Sequence, residues 1–176
     1  MLWRTVKVLL PIFLVCNISC KAQPHLPPPL SADNFPANVG DFAFDPTIDD
    51  TNFVLGNPNI VFQYYNTRSY YLNNKRKIET YFKNNYHAPA SASDQNGYLT
   101  IRFIININGK TGRFRLYELN ADYQPHPFSK AISEQLLQLT KSIDGWEPAK
   151  YKEKLYDSYQ YITFKLNKGA IVCITP

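Results

Sequence analysis

The sequence predicts an α+β domain: an antiparallel sheet of two β-hairpins packed with two helices. Three observations carry this expectation. Over residues 98–108, Leu99, Ile101, Phe103, Ile105 and Ile107 alternate with Tyr98, Thr100, Arg102, Ile104 and Asn106, the period-two pattern of a half-buried strand. Asn108-Gly109-Lys110 follows at once, a hairpin signal because Asn and Gly tolerate the positive φ of a tight turn. Ile132, Leu136, Leu139 and Ile143 then recur at i, i+4, i+7 and i+11, the stripe with which a helix packs onto a sheet.

The elements follow in chain order. Residues 1–22 have the form of an export signal: Arg4 and Lys7 precede an apolar run over 8–15. That run is too short for a spanning helix, which needs roughly 20 apolar residues, and Pro11 interrupts it. Two processing routes stay open. Ala22 before Gln23 suits a soluble-export peptidase, whereas Ile18-Ser19-Cys20 resembles a lipoprotein box and would leave Cys20 as a lipidated N-terminus. Residues 23–68 form a lead-in broken by Pro24, Pro27-Pro28-Pro29, Pro36, Pro46 and Pro58. Its apolar residues, among them Phe42, Phe44, Phe53, Ile60 and Phe62, predict that part of it docks on the domain.

The domain proper is expected over 69–176. A helix is predicted over 69–86, with Ser69 as N-cap, Tyr71, Ile78 and Phe82 on one face and Lys75-Arg76-Lys77 on a solvated flank. After the strand and its turn, the return strand over 111–119 sets Phe114 and Leu116 against Arg113, Arg115 and Tyr117. The second helix starts after Pro127 and stops at Asp144-Gly145, Gly being the usual left-handed cap. Trp146-Glu147-Pro148-Ala149 and a polar stretch lead to a third strand, where Ile162, Phe164 and Leu166 alternate with Tyr161, Thr163 and Lys165. Asn167-Lys168-Gly169 turns the chain into a closing strand over 170–174, expected beside the third strand.

Charge points first to nucleic acid and then away from it. The 176 residues hold 19 Lys+Arg against 14 Asp+Glu, a net charge of +5. Cleavage after Ala22 removes Arg4, Lys7 and Lys21, leaving 16 basic against 14 acidic residues, or +2. No basic patch with interleaved aromatics remains, so a nucleic-acid partner is not expected. Aromatic residues reach 15%, with 13 Tyr and 11 Phe, ample for a packed core. Cys16 and Cys20 belong to the leader, so Cys173 is the one remaining thiol; no intrachain disulfide forms, and Cys173 is expected to pack as a small hydrophobe.

Catalytic chemistry is not legible. His25, His87 and His126 stand apart from carboxylates or Cys at metal-ligand spacing. Asp45 and Asp49-Asp50 lack the Gly and the closing Glu of a calcium loop. Neither a Gly-rich phosphate cradle nor a nucleophile elbow is present, and Glu134 and Glu153 have no paired carboxylate in sequence. Neither a cofactor nor a metal is expected.

The order of motifs resembles the TonB C-terminal domain family over about 97–166. The matching pieces are Gly97-Tyr-Leu-Thr-Ile-Arg-Phe103, the Asn108-Gly109-Lys110 turn, the helix, Trp146-Glu-Pro-Ala149 and Ile162-Thr-Phe164. The resemblance implies a periplasmic module of a Gram-negative envelope that binds a partner's peptide strand along a sheet edge. It makes Gly97, Phe103, Gly109, Trp146, Pro148 and Phe164 family-motif positions. The expected interaction edge is the closing strand, with Ala170, Val172 and Ile174. The expected protein is therefore exported, non-catalytic, periplasmic or tethered to the outer membrane, and bound to an envelope protein or a second copy of itself. A membrane is met only through the leader or a lipid anchor. Two alternatives remain: a TonB-type energy transducer, against which a leader that is removed or lipidated weighs, and a small secreted enzyme.

Overall fold

In the computed structural model, residues 42–64 and 75–175 are described; the leader with Cys20, the Pro27-Pro28-Pro29 run, Ser69 and Tyr71 lie outside them. The period-two segment forms β2 (Gly97–Ile105), and the Asn-Gly turn returns it as β3 (Thr111–Asn120). Ahead of them come β1 (Val61–Phe62) and α1 (Lys75–Asn85). After them come α2 (Lys130–Lys141), β4 (Ala149–Tyr151), β5 (Lys154–Asn167) and β6 (Ala170–Thr175). The architecture is mixed α+β, a six-stranded open sheet with two helices, and it belongs to a unit spanning Ala43–Pro176.

β5 is the organising strand. One edge pairs with β2 from Ser158 to Leu166; β5 also takes up β1 in parallel at Asp157 and Ser158, and β6 antiparallel from Thr163 to Asn167. The helices share one face of the sheet. There Leu99, Ile101, Phe103, Ile162 and Phe164 are fully buried together with Ile78 and Phe82 of α1 and Ile132 and Leu136 of α2. Phe82 meets Phe164 edge-on at 4.6 Å, and the Tyr81 hydroxyl donates to the Leu139 carbonyl at 3.2 Å, which ties the helices together.

The opposite face accounts for much of the tyrosine content. Thr100 and Thr163 share a 2.8 Å hydroxyl bond, Arg102 lies within 6 Å of both the Tyr117 and Tyr159 rings, and Tyr98 stacks on Tyr123 at 5.0 Å. Tyrosine suits such a face, since its ring packs while its hydroxyl stays wet.

Four expectations need correction. Ile104 and Asn106, placed on the solvent side by alternation, are buried, because the lead-in crosses that end of the sheet. The Asn106 amide donates to the Val54 carbonyl at 2.9 Å, and the Asp157 carboxylate accepts from the backbone of Asn57 and Ile107, each at 3.0 Å. Second, the stretch read as polar before residue 161 is β4 and the first half of β5, joined by Lys152 and Glu153 at φ 44 and 64. Third, α2 ends at Lys141 rather than at Asp144-Gly145, with Ser142 as its C-cap. Fourth, Cys173 is exposed rather than packed.

Candidate interaction edge

Two outer strands of the sheet, β3 and β6, differ. β3 is flanked by the lead-in at Arg115, whose side chain grips Asp49 through two 2.7 Å bonds and reaches the Ala43 carbonyl at 2.9 Å. Farther along, the His126 N–H donates to the Glu118 carbonyl at 3.0 Å and Leu119 bridges Pro125. β6 pairs with β5 on its inner side, and among the described residues its outer side has no backbone partner. An unpaired row of N–H and C=O groups is a template for another strand.

The hairpin that presents β6 is held firmly. Lys168 and Gly169 both have positive φ, 51 and 72, the twist a two-residue hairpin requires. The buried Tyr86 hydroxyl donates to the Gly169 carbonyl at 2.6 Å, and burial pushes that phenol up to about 12. The Gly169 N–H donates to the Gln95 carbonyl and the Lys168 N–H to the Asn96 side chain, both at 2.9 Å. A Cβ at Gly169 would stand 2.9 Å from Ala92, so the turn and the loop before β2 touch closely.

Register decides what β6 exposes. Lys165 pairs with Cys173 but Leu166 with Ile171, so Val172 is an extra residue, a β-bulge. The bulge lets Ile171 and Ile174 both pack toward the core, while Val172, at 54% exposure, and Cys173 face out. Of Ala170, Val172 and Ile174, expected to form the interaction edge, Ala170 and Val172 are exposed and Ile174 is buried. Beside the strand runs a groove of about 520 Å³, walled by Glu79, Phe82, Lys83 and Tyr86 of and after α1. Such a groove beside an unpaired edge offers backbone pairing together with a place for side chains.

The family-motif residues are architectural. Gly97 has φ 145, and a Cβ there would meet the Leu119 carbonyl at 2.1 Å. A Cβ at Gly109 would meet the Trp146 carbonyl at 2.6 Å and Pro148 at 4.0 Å, so those three positions come together under the hairpin. Trp146 is 4% exposed and packs edge-on against Phe103 at 5.0 Å, a core plug rather than a surface contact. Phe103 and Phe164 are fully buried. Comparison with protein-family models, curated proteins and solved structures finds no match.

The residues weighed for chemistry stay apart. Glu134 is exposed on α2, and Glu153 pairs with Lys150 at 2.7 Å in the exposed β4–β5 hairpin. His87 and His126 are exposed; His25 lies outside the described residues. Among the described residues no group of three or more His, Cys, Asp or Glu is placed to hold a metal ion. Among those same residues no helix is long and apolar enough to cross a membrane. Tyr86, Gln95 and Asn96 were not visible as a functional group in the sequence, because they act only through a turn more than 70 residues away.

Proposed function

We propose that this chain is an exported, non-catalytic envelope protein whose domain binds an envelope partner, or a second copy of itself, by strand addition along β6. The observation that carries this reading is the unpaired outer edge of β6 beside the α1 groove. Main-chain bonds to β6 supply affinity, and the groove, with an apolar floor at Phe82 and one charge of each sign at Glu79 and Lys83, selects side chains. The TonB C-terminal resemblance supports the same mode, since its motif residues occupy turn and core positions of the sheet that carries β6. The protein works from the periplasm, as a soluble species or through a lipid on Cys20.

The test is chemical cross-linking of envelopes from cells carrying the full chain, wild type against Val172→Lys. Val172 is exposed, so the substitution leaves the core intact, and a lysine on the edge opposes strand pairing. The expected result is a higher-mass adduct in wild type that is lost in Val172→Lys while the level of the protein is unchanged. An adduct equally strong in the variant would overturn the reading. The adduct's mass separates a second copy from a different partner.

A further inference from the structure

A second cavity, of about 720 Å³, opens at the β3 edge of the sheet, between the docked lead-in, the start of β3 and the end of α2. Its floor is apolar, from Phe114, Leu116 and Leu137, and its rim carries Ile48 at 59% exposure. The charges around it are three cations, Arg113, Arg115 and Lys141, against two carboxylates, Asp49 and Asp50.

Those charges are not equally engaged. Arg115 and Asp49 satisfy each other through two 2.7 Å bonds. Asp50 turns its oxygen into its own loop, accepting from the Asn52 backbone at 2.8 Å and side chain at 3.0 Å. Arg113 and Lys141 are different. Lys141 lies over the Phe114 ring at 5.5 Å with no carboxylate partner among the described residues. Arg113 lies with its guanidinium 5.6 Å over the Phe44 ring and makes no ion pair among the described residues. Its backbone is unusual as well: φ is 53, and Arg113 and Phe114 together oppose the single residue Phe103. A bulge of this kind re-aims a side chain, and here it brings a cation and an aromatic ring to the same cavity.

We infer that this cavity binds a small amphipathic anion, a carboxylate on an apolar chain. Arg113 and Lys141 take the carboxylate and the Phe114, Leu116, Leu137 and Ile48 side chains take the chain. The volume falls within the range of about 300–1,000 Å³ that small-molecule sites occupy. The net positive rim selects the anionic head; the floor selects the body.

Equilibrium dialysis of the full-length protein against labelled decanoate tests this, with decanol and acetate as competitors that keep only the body or only the charge. Decanoate is expected to bind, decanol and acetate each to compete at least roughly tenfold more weakly, and Lys141→Ala and Arg113→Asn each to weaken binding roughly tenfold or more. Asn is chosen at 113 because it tolerates positive φ. Lys141→Ala, on an exposed helix end, keeps the test sound if the bulge variant fails to fold. No decanoate binding, decanol competing as well as decanoate, or undiminished binding in folded Lys141→Ala would each overturn the inference.

Discussion

Replacing Tyr86 by Phe removes one oxygen and nothing else, and it probes the joint that presents β6. The Tyr86 hydroxyl is buried and donates to the Gly169 carbonyl at 2.6 Å, across 83 residues of sequence. Phe fills the same space, so no cavity term enters. What is lost is a hydrogen bond, and the carbonyl of the buried Gly169 is left without that donor. Leaving a buried partner unsatisfied costs about 1–3 kcal/mol. Urea denaturation at pH 7, followed by far-ultraviolet circular dichroism, reads that difference directly. The alkaline limb supplies an independent check. Burial raises the Tyr86 phenol from its usual 10 to about 12 in the folded protein. A group with a raised folded value stabilises fully below pH 10 and loses that contribution as pH rises toward 12. Tyr86→Phe is therefore expected to unfold less steeply over that window than wild type, with burial of Tyr161 leaving a residual slope of the same sign. A variant within about 0.5 kcal/mol of wild type at pH 7, with an unchanged alkaline limb, would refute the reasoning.

Two further predictions concern the frame around the edges. Asp49→Ala removes both carboxylate bonds of Arg115 while its bonds to the Ala43 and Phe114 carbonyls stay, and should cost about 1–3 kcal/mol. In wild type the hydrogen bonds from Arg115 hold the Asp49 carboxyl below its usual 3.8, so this stabilisation is full above about pH 4 and fades as pH falls below it; acid titration of the melting temperature checks the sign. Gly109→Ala puts a Cβ 2.6 Å from the Trp146 carbonyl at φ 73, and should destabilise by about 1–3 kcal/mol or more, read by urea denaturation. If either substitution is neutral, the lead-in clamp or the hairpin–Trp146 contact has been misassigned.

The sequence was legible where one physical rule acted alone. β2 as far as Phe103, β3 and the second half of β5 each turn one face to the core, so period two survived in the residues, and Asn108-Gly109 and Lys168-Gly169 named their own turns. Ile132 and Leu136 likewise marked the buried stripe of α2. The first half of β5 failed this reading because Asp157, Ser158, Tyr159 and Gln160 are buried in succession, on both faces, which erases alternation. Its turn at Lys152 and Glu153 carries no glycine, so it gave no signal either. The β6 edge was half legible: its place beside β5 was expected and is observed, but the bulge at Val172 is a register event that composition does not encode. That one extra residue moves Ile174 into the core and Cys173 out of it. The clamp of Asp49 on Arg115 joins residues 66 apart and had no local signature.

The central claim is that β6, and not β3, is the edge that takes a partner strand. Site-specific photo-cross-linking tests it most directly, with a photoreactive residue placed at position 172 or at position 117 of the full chain and irradiated in intact envelopes. Both positions are exposed, on β6 and β3 respectively. A discrete higher-mass adduct is expected from 172 and none from 117. An adduct from 117 alone, or from neither position, would contradict it.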